Sequence, residues 1–175
     1  MKPNIDIEHT SAQKFFENKQ FDIWNNNSPI VVGIGIRNPE NIGGIIRLAG
    51  TIGCEKVIFA TNETEHKLAK IKKTATTAFN KVNWQFVGTE AWIELIPNDY
   101  TIVGLETTSD SENLYKCKLG NKIAIVVGDE RYGIDMDSLA LCHKKVFIPM
   151  VGSVKSLNVV QATAIALYEY LRRNI

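Results

Sequence analysis

Six short apolar runs, Ile30–Ile36, Lys56–Ala60, Trp84–Val87, Thr101–Leu105, Lys122–Val127 and Lys145–Ile148, constrain this chain more than any other feature. Several are unbroken rather than alternating, as strands buried on both faces are. Helical patterns separate most of them: Asn41–Ile52, around Glu65–Lys72, Thr89–Leu95, Asp135–Leu141 and Leu157–Arg173. Strand and helix in alternation predict an α/β single domain with a mainly parallel sheet. Residues 1–28 read as an N-terminal extension, helical from roughly Thr10 to Lys19, joined to the 29–175 domain by the polar Asn25-Asn26-Asn27.

The 175 residues fit one domain, and no repeat or low-complexity tract interrupts them. Twenty basic and 19 acidic side chains give a formal charge of +1, so a nucleic-acid footprint has to be local. Cys54, Cys117 and Cys142 lie far apart without C-x-x-C spacing, which supports neither a disulfide framework nor a zinc knuckle. His9, His66 and His143 share no ligand spacing, and no metal is expected. Residues Met1 to Asp22 contain no apolar signal region, and the longest apolar run is strand-sized. The expected setting is the cytoplasm, with no membrane.

Six of the 12 glycines fall between Gly33 and Gly53. A dinucleotide fingerprint fails there, because Asn38 stands at the third glycine and Pro39 delays the helix. On the following helix Ile42, Ile45, Ile46, Ala49 and Ile52 form one apolar stripe, and Arg47 points away from it. Gly43 and Gly44 precede Arg47 by four and three residues, leaving room for a ligand or a second backbone. The plain alternative is an exposed arginine with glycines needed for packing. Two helical glycines cost about 1 kcal/mol each, which favours the functional reading.

Two later segments each read as ordinary structure when taken alone. Gly128-Asp129-Glu130-Arg131-Tyr132-Gly133 closes a strand with a Gly-bracketed acidic loop, a geometry equally suited to a helix N-terminus. Ile148-Pro149-Met150 leads through Gly152 to Ser156-Leu157-Asn158-Val159, where Ser156 or Asn158 is a good N-cap. A long helix follows, with Val159, Ala162, Thr163, Ala166 and Tyr170 on one stripe.

Together, N-x-G-x-x-x-R-x-A at Asn41–Ala49, G-x-E-x-x-G at Gly128–Gly133 and I-P-M-x-G-x-x-x-S-L-N-V at Ile148–Val159 resemble the three motifs of the SpoU (TrmH) family, RNA ribose 2′-O-methyltransferases of the SPOUT class. The resemblance covers about Ile30 to Arg173. It implies a C-terminal trefoil knot, S-adenosylmethionine as cofactor and a homodimer that completes the active site. Carried over by motif, the cofactor pocket uses Leu105, Glu106, Thr107, Gly128, Ile148, Met150 and Leu157. The catalytic side uses Asn41, Arg47, Glu130, Ser156 and Asn158. Arg47 as a clamp on the phosphate beside the target ribose is physically easier than Arg47 as a base, since guanidinium stays protonated. Asn41, Ser156 and Asn158 then orient the ribose and Arg47, and Glu130 fixes a loop or a partner arginine.

The sequence departs from the family pattern at Asp129, Arg131 and Val160, none of them a proposed catalytic group. Lys67, Lys70, Lys72, Lys73 and Lys81 form the best candidate for RNA binding, with a solvated helix face as the alternative. With only about thirty residues before the core, tRNA is expected over rRNA. A non-catalytic RNA-binding protein of the same fold is the reading from another class.

Overall fold

The computed structural model describes residues 11–17 and 26–175. Of the helix expected from Thr10 to Lys19, Ala12–Glu17 (α1) is helical; Thr10, Asn18 and Lys19 lie outside the described residues. The elements that follow are β1 (Ile30–Ile34), α2 (Pro39–Ile52), β2 (Lys56–Ala60), α3 (Leu68–Ala75), α4 (Ala78–Lys81) and β3 (Trp84–Val87). A 3-10 turn at Ala91–Leu95 leads to β4 (Thr101–Leu105), β5 (Glu112–Asn113), β6 (Ile123–Gly128), α5 (Met136–Ala140), β7 (Lys144–Phe147) and α6 (Val159–Asn174).

Every strand pair is parallel, and the order across the sheet is β3-β2-β1-β6-β4-β7-β5. Strand β1 sits inside the sheet with Val31 opposite both Val57 and Ile125. Its residues are all buried because both faces are covered. Ile30, Val32 and Ile34 pack with Trp92, Ile102, Val126 and Leu139 on one side. Val31 packs on the other with Ile42, Ile46, Ile71 and Tyr170. The period of two along the strand thus feeds two separate cores.

The five-residue stripe of α2 is wholly buried against the sheet. Each of its four isoleucines contributes roughly 1.5–3 kcal/mol. Asn38, at the position that spoils the dinucleotide fingerprint, caps this helix: its Oδ1 accepts from the amides of Glu40 (2.8 Å) and Asn41 (3.3 Å), and Pro39 takes the first helical position.

The structure corrects several expected bounds. Helix α3 starts at Leu68, not Glu65, and Lys67 gives it no side-chain cap. The helix expected over Thr89–Leu95 is a 3-10 turn at Ala91–Leu95. Four-residue α4 and two-residue β5 are too short to give a periodic signal.

Strand β7 lies between β4 and β5, so the segment 106–111 that joins those two must cross the line of β7. Glu106 donates its amide to Val146 on one side of β7, and Leu114 donates to Phe147 on the other. The chain leaving β7 therefore passes close to that crossing.

Candidate functional site

Ligands of parallel sheets bind beyond the carboxyl ends of the strands. A cleft of about 500 Å³ opens there, at the ends of β4, β6 and β7, and is closed on one side by the start of α6. That volume lies within the range of roughly 300–1,000 Å³ typical of small-molecule sites. Leu105, Glu106, Thr107, Gly128, Ile148, Met150 and Leu157 all line it, as do Glu130 and Ser156.

The loop after β6 folds back on itself. Asp129 accepts from the amides of Arg131 (2.9 Å) and Tyr132 (3.1 Å) through Oδ1, and its carbonyl accepts from Gly133 (2.8 Å). A Cβ on Gly128 would stand 2.1 Å from the Gly133 carbonyl carbon, so only glycine fits. Gly133 itself has φ +70°, which favours glycine independently. Asp129 is therefore the residue that shapes the loop, a role its departure from the family pattern did not suggest.

Glu106 contributes its side chain as well as its backbone. Oε2 accepts from the Ile134 amide at 3.0 Å, and Oε1 accepts from Thr107 at 2.9 Å. The carboxylate thus straps the loop's far end to β4. Glu130, by contrast, is exposed at the loop tip. Fixing the loop falls to Asp129 and Glu106 rather than to Glu130. Beside Glu130, the Arg131 guanidinium lies over the Tyr132 ring at 5.3 Å.

Among the charged lining residues, three carboxylates (Glu106, Asp129 and Glu130) face one guanidinium (Arg131). With apolar Leu105, Ile148 and Leu157 they suit a ligand that joins a flat apolar body to a positive centre. The residues present fit S-adenosylmethionine, a nucleoside carrying a sulfonium, and the close-packed backbone at Gly128 is the kind of wall such a group lies against.

Asn41 and Asn158 meet directly although 117 positions separate them: Asn158 Nδ2 donates to Asn41 Oδ1 at 3.0 Å. Asn158 Oδ1 accepts from Val160 and caps α6, which settles the N-cap alternatives in its favour. Ser156 is exposed in the loop before α6. Arg47 lies further along α2, exposed, and forms no ion pair among the described residues. It is not part of the cleft lining.

The glycines before Arg47 serve packing, against the functional reading of them. A Cβ on Gly43 would stand 2.6 Å from the Ile71 carbonyl oxygen of α3, and one on Gly44 would stand 2.9 Å from Val160 of α6. Val160 thereby fills the gap that Gly44 leaves.

The candidate RNA-binding lysines do not share one face. At 100° per residue Lys67, Lys70 and Lys73 fall toward one side of α3, whereas Lys72 lies over the Phe79 ring at 5.9 Å and Lys81 ends α4. The thiols offer no nucleophile: burial pushes Cys54 up to about 12 and Cys142 up to about 11. Among the described residues no group of three or more His, Cys, Asp or Glu could hold a metal, and no helix is long and apolar enough to cross a membrane.

A sequence model of the SpoU rRNA Methylase family matches residues 28–168. The 23S rRNA (guanosine-2′-O-)-methyltransferase RlmB of Photorhabdus laumondii is 33% identical over 140 residues, 79% of this chain. The chain spans 57% of that relative's length. The SpoU methyltransferase AviRb from Streptomyces viridochromogenes, solved in complex with AdoMet, superposes with a TM-score of 0.74 at 25% identity over 84% of this chain and 58% of its own. The A. aeolicus TrmH/SpoU tRNA modifying enzyme gives a TM-score of 0.74 at 25% identity, covering 84% of this chain and 75% of its own.

Proposed function

The chain belongs to the SpoU rRNA Methylase family, and from that membership we propose that it transfers a methyl group from S-adenosylmethionine to a ribose 2′-hydroxyl of RNA, working as a cytoplasmic homodimer. One observation carries the reading. The cleft gathers all seven residues expected of the cofactor pocket from four separate chain segments.

When bound, the cofactor supplies the electrophilic methyl of its sulfonium. The chain's own residues supply position and charge. The Gly128–Ile134 loop, held by Asp129 and Glu106, forms one wall, and Ile148, Met150 and Leu157 form the other. The Asn41–Asn158 pair joins the first turns of α2 and α6, next to the cleft residues Leu157 and Val159. It orients the ribose there. Arg47 clamps the adjoining phosphate, and its freedom from an ion pair among the described residues leaves the guanidinium available. Ser156, in the cleft lining, helps orient the ribose and Arg47, and Glu130, exposed at the loop tip, meets an arginine of the partner copy.

For the dimer, Tyr132, Met136, Val151 and Val154 are all more than two thirds exposed beside the cleft, an apolar surface that a second copy would cover. The threading of the chain after β7 past segment 106–111 belongs to the same proposal, as the trefoil knot of the class. The substrate proposed is tRNA. The match to the A. aeolicus tRNA modifying enzyme takes in three quarters of that chain, which supports this choice. The 33% identity to the rRNA-acting relative favours rRNA as the second reading.

Labelled S-adenosylmethionine offered with unmodified tRNA and with rRNA fragments, side by side, tests both. Label at one alkali-resistant linkage is expected in tRNA. Label in rRNA alone replaces the substrate, and no label in either with the cofactor bound turns the reading toward a non-catalytic RNA-binding protein.

A further inference from the structure

A second concavity, about 210 Å³, opens at the carboxyl ends of β1 and β2. It is smaller than the roughly 300–1,000 Å³ that drug-sized ligands occupy, and suits a single heterocycle. Strand order places it two to three strands from the cofactor cleft along the same edge of the sheet, roughly 10–15 Å at about 4.8 Å per strand. An unstacked RNA strand covers that span in a few nucleotides.

Its floor is apolar, made by Pro39 and Ile42 of α2 and Ile71 of α3. One wall is His66, whose imidazole stacks flat on Phe86 with centroids 3.5 Å apart and planes 3° from parallel. Phe86 thus fixes the plane of the ring, and His66 borders the concavity. Four charged groups share the rim: Arg37 and Lys67 against Glu63 and Glu65. Their formal charges cancel, which leaves no net attraction for a phosphate inside. They do offer donors and acceptors to the edge of a neutral base. The Arg37–Glu63 pair (3.0 Å) is 69% and 41% exposed, so it opens at little cost when a base edge competes for it. Outside the rim, Lys70 and Lys73 stand exposed on α3 with no ion pair among the described residues.

We propose that this concavity receives the base of an unpaired RNA nucleotide flanking the methylated one, stacked against His66, while Lys70 and Lys73 follow the phosphates. It rests on the RNA methyltransferase reading above. It deepens that reading by locating sequence discrimination on the β1–β2 side of the sheet, away from the reacting ribose. Single-stranded RNA is commonly read in this way, by aromatic stacking with polar groups on the base edge.

The test is binding of short single-stranded RNA of random sequence to the cofactor-saturated protein, followed by fluorescence anisotropy at several salt concentrations. A stacking platform is worth roughly 5- to 150-fold in affinity. His66→Ala should lose an amount in that range with its salt dependence unchanged, and His66→Phe should bind within about twofold of the unaltered protein. Lys70→Ala should lower the slope of log K against log salt by about 0.7, the mark of one lost phosphate contact on a single strand. Cofactor affinity of both His66 variants should stay at the unaltered value. Full RNA affinity in His66→Ala overturns the proposal. So does a His66→Phe as weak as the alanine variant, a His66→Ala slope lowered like that of Lys70→Ala, or no RNA binding at all. RNA binding that depends on His66 without methyl transfer overturns the enzyme reading alone.

Discussion

Glu106 gives the sharpest test of how the cleft is built. Replacing it with alanine takes the acceptor from two amides. The Thr107 amide is exposed and turns to water, at close to no cost. The Ile134 amide is half-buried, 28 residues away along the chain, and loses a charge-assisted bond of 3.0 Å. An unsatisfied buried donor of this kind costs about 2 kcal/mol. The loop can escape the cost in the free protein by opening locally. Ligand binding needs the closed loop, so the loss passes to affinity: roughly 30-fold weaker binding of S-adenosylmethionine, with a small change in Tm. Glu106→Gln keeps a carbonyl oxygen for Ile134 and should lose only about 2- to 5-fold. Gly133→Ala adds a second handle, because its Cβ would lie 2.3 Å from Glu106 Oε2. In the Glu106→Ala background that clash is gone and only the left-handed backbone remains, so the two changes should be less than additive. Calorimetric titration with the cofactor measures the parent and all four variants. Affinity of Glu106→Ala within about twofold of the parent, or a glutamine variant as weak as the alanine, refutes the strap.

Arg47→Ala should lower methyl transfer by roughly 100-fold or more while leaving cofactor affinity unchanged, because Arg47 is outside the cleft lining; a radiolabel assay and a cofactor titration separate the two. Its exposure and lack of an ion pair among the described residues put the stability change within about 0.5 kcal/mol by thermal melting. Asn158→Ala removes both the α6 cap and the partner of buried Asn41, for about 1–2 kcal/mol of stability in urea unfolding. Glu169 is held down to about 2 by its hydrogen bonds to Arg172 and Arg173. Its folded pKa lies below the ordinary value of about 4.3, so its stabilisation is full above that pH and is lost as pH falls toward 2. Glu169→Gln should flatten the acid side of a Tm-against-pH curve.

The fold is legible wherever a residue's role is set by its neighbours along the chain. Ile30–Ile34 and Ile123–Val127 are apolar at every or nearly every position, which requires cover on both faces of a sheet, and two cores supply it. Helix α2 announces its start through Pro39 and its buried face through a 3.6-residue period. Strand order carries no such local mark. Nothing in Lys144–Phe147 shows that it inserts between β4 and β5, and the two-residue β5 is recognisable only by its pairing with Val146 and Phe147.

The same division runs through the site, and it explains which residues the sequence misassigns. The Gly128–Gly133 and Ile148–Val159 motifs are contiguous, since backbone walls need runs of small and apolar residues, and Gly128, Ile148, Met150 and Leu157 drawn from them line one cavity. Gly43 and Gly44 also form a local pattern, an open helix face before an arginine. The object that fills that face is not local: Ile71 lies 28 positions after Gly43, and Val160 lies 116 positions after Gly44. A Gly pair reads the same whether a ligand or a helix approaches it, and here helices do. Glu106 is the converse case. In the run Leu105-Glu106-Thr107-Thr108 it looks like any carboxylate leaving a strand, and its value appears only with the Ile134 amide above it. Short motifs therefore identify residues that come to line one cavity, while the groups that hold those motifs in shape are found only once the chain has folded.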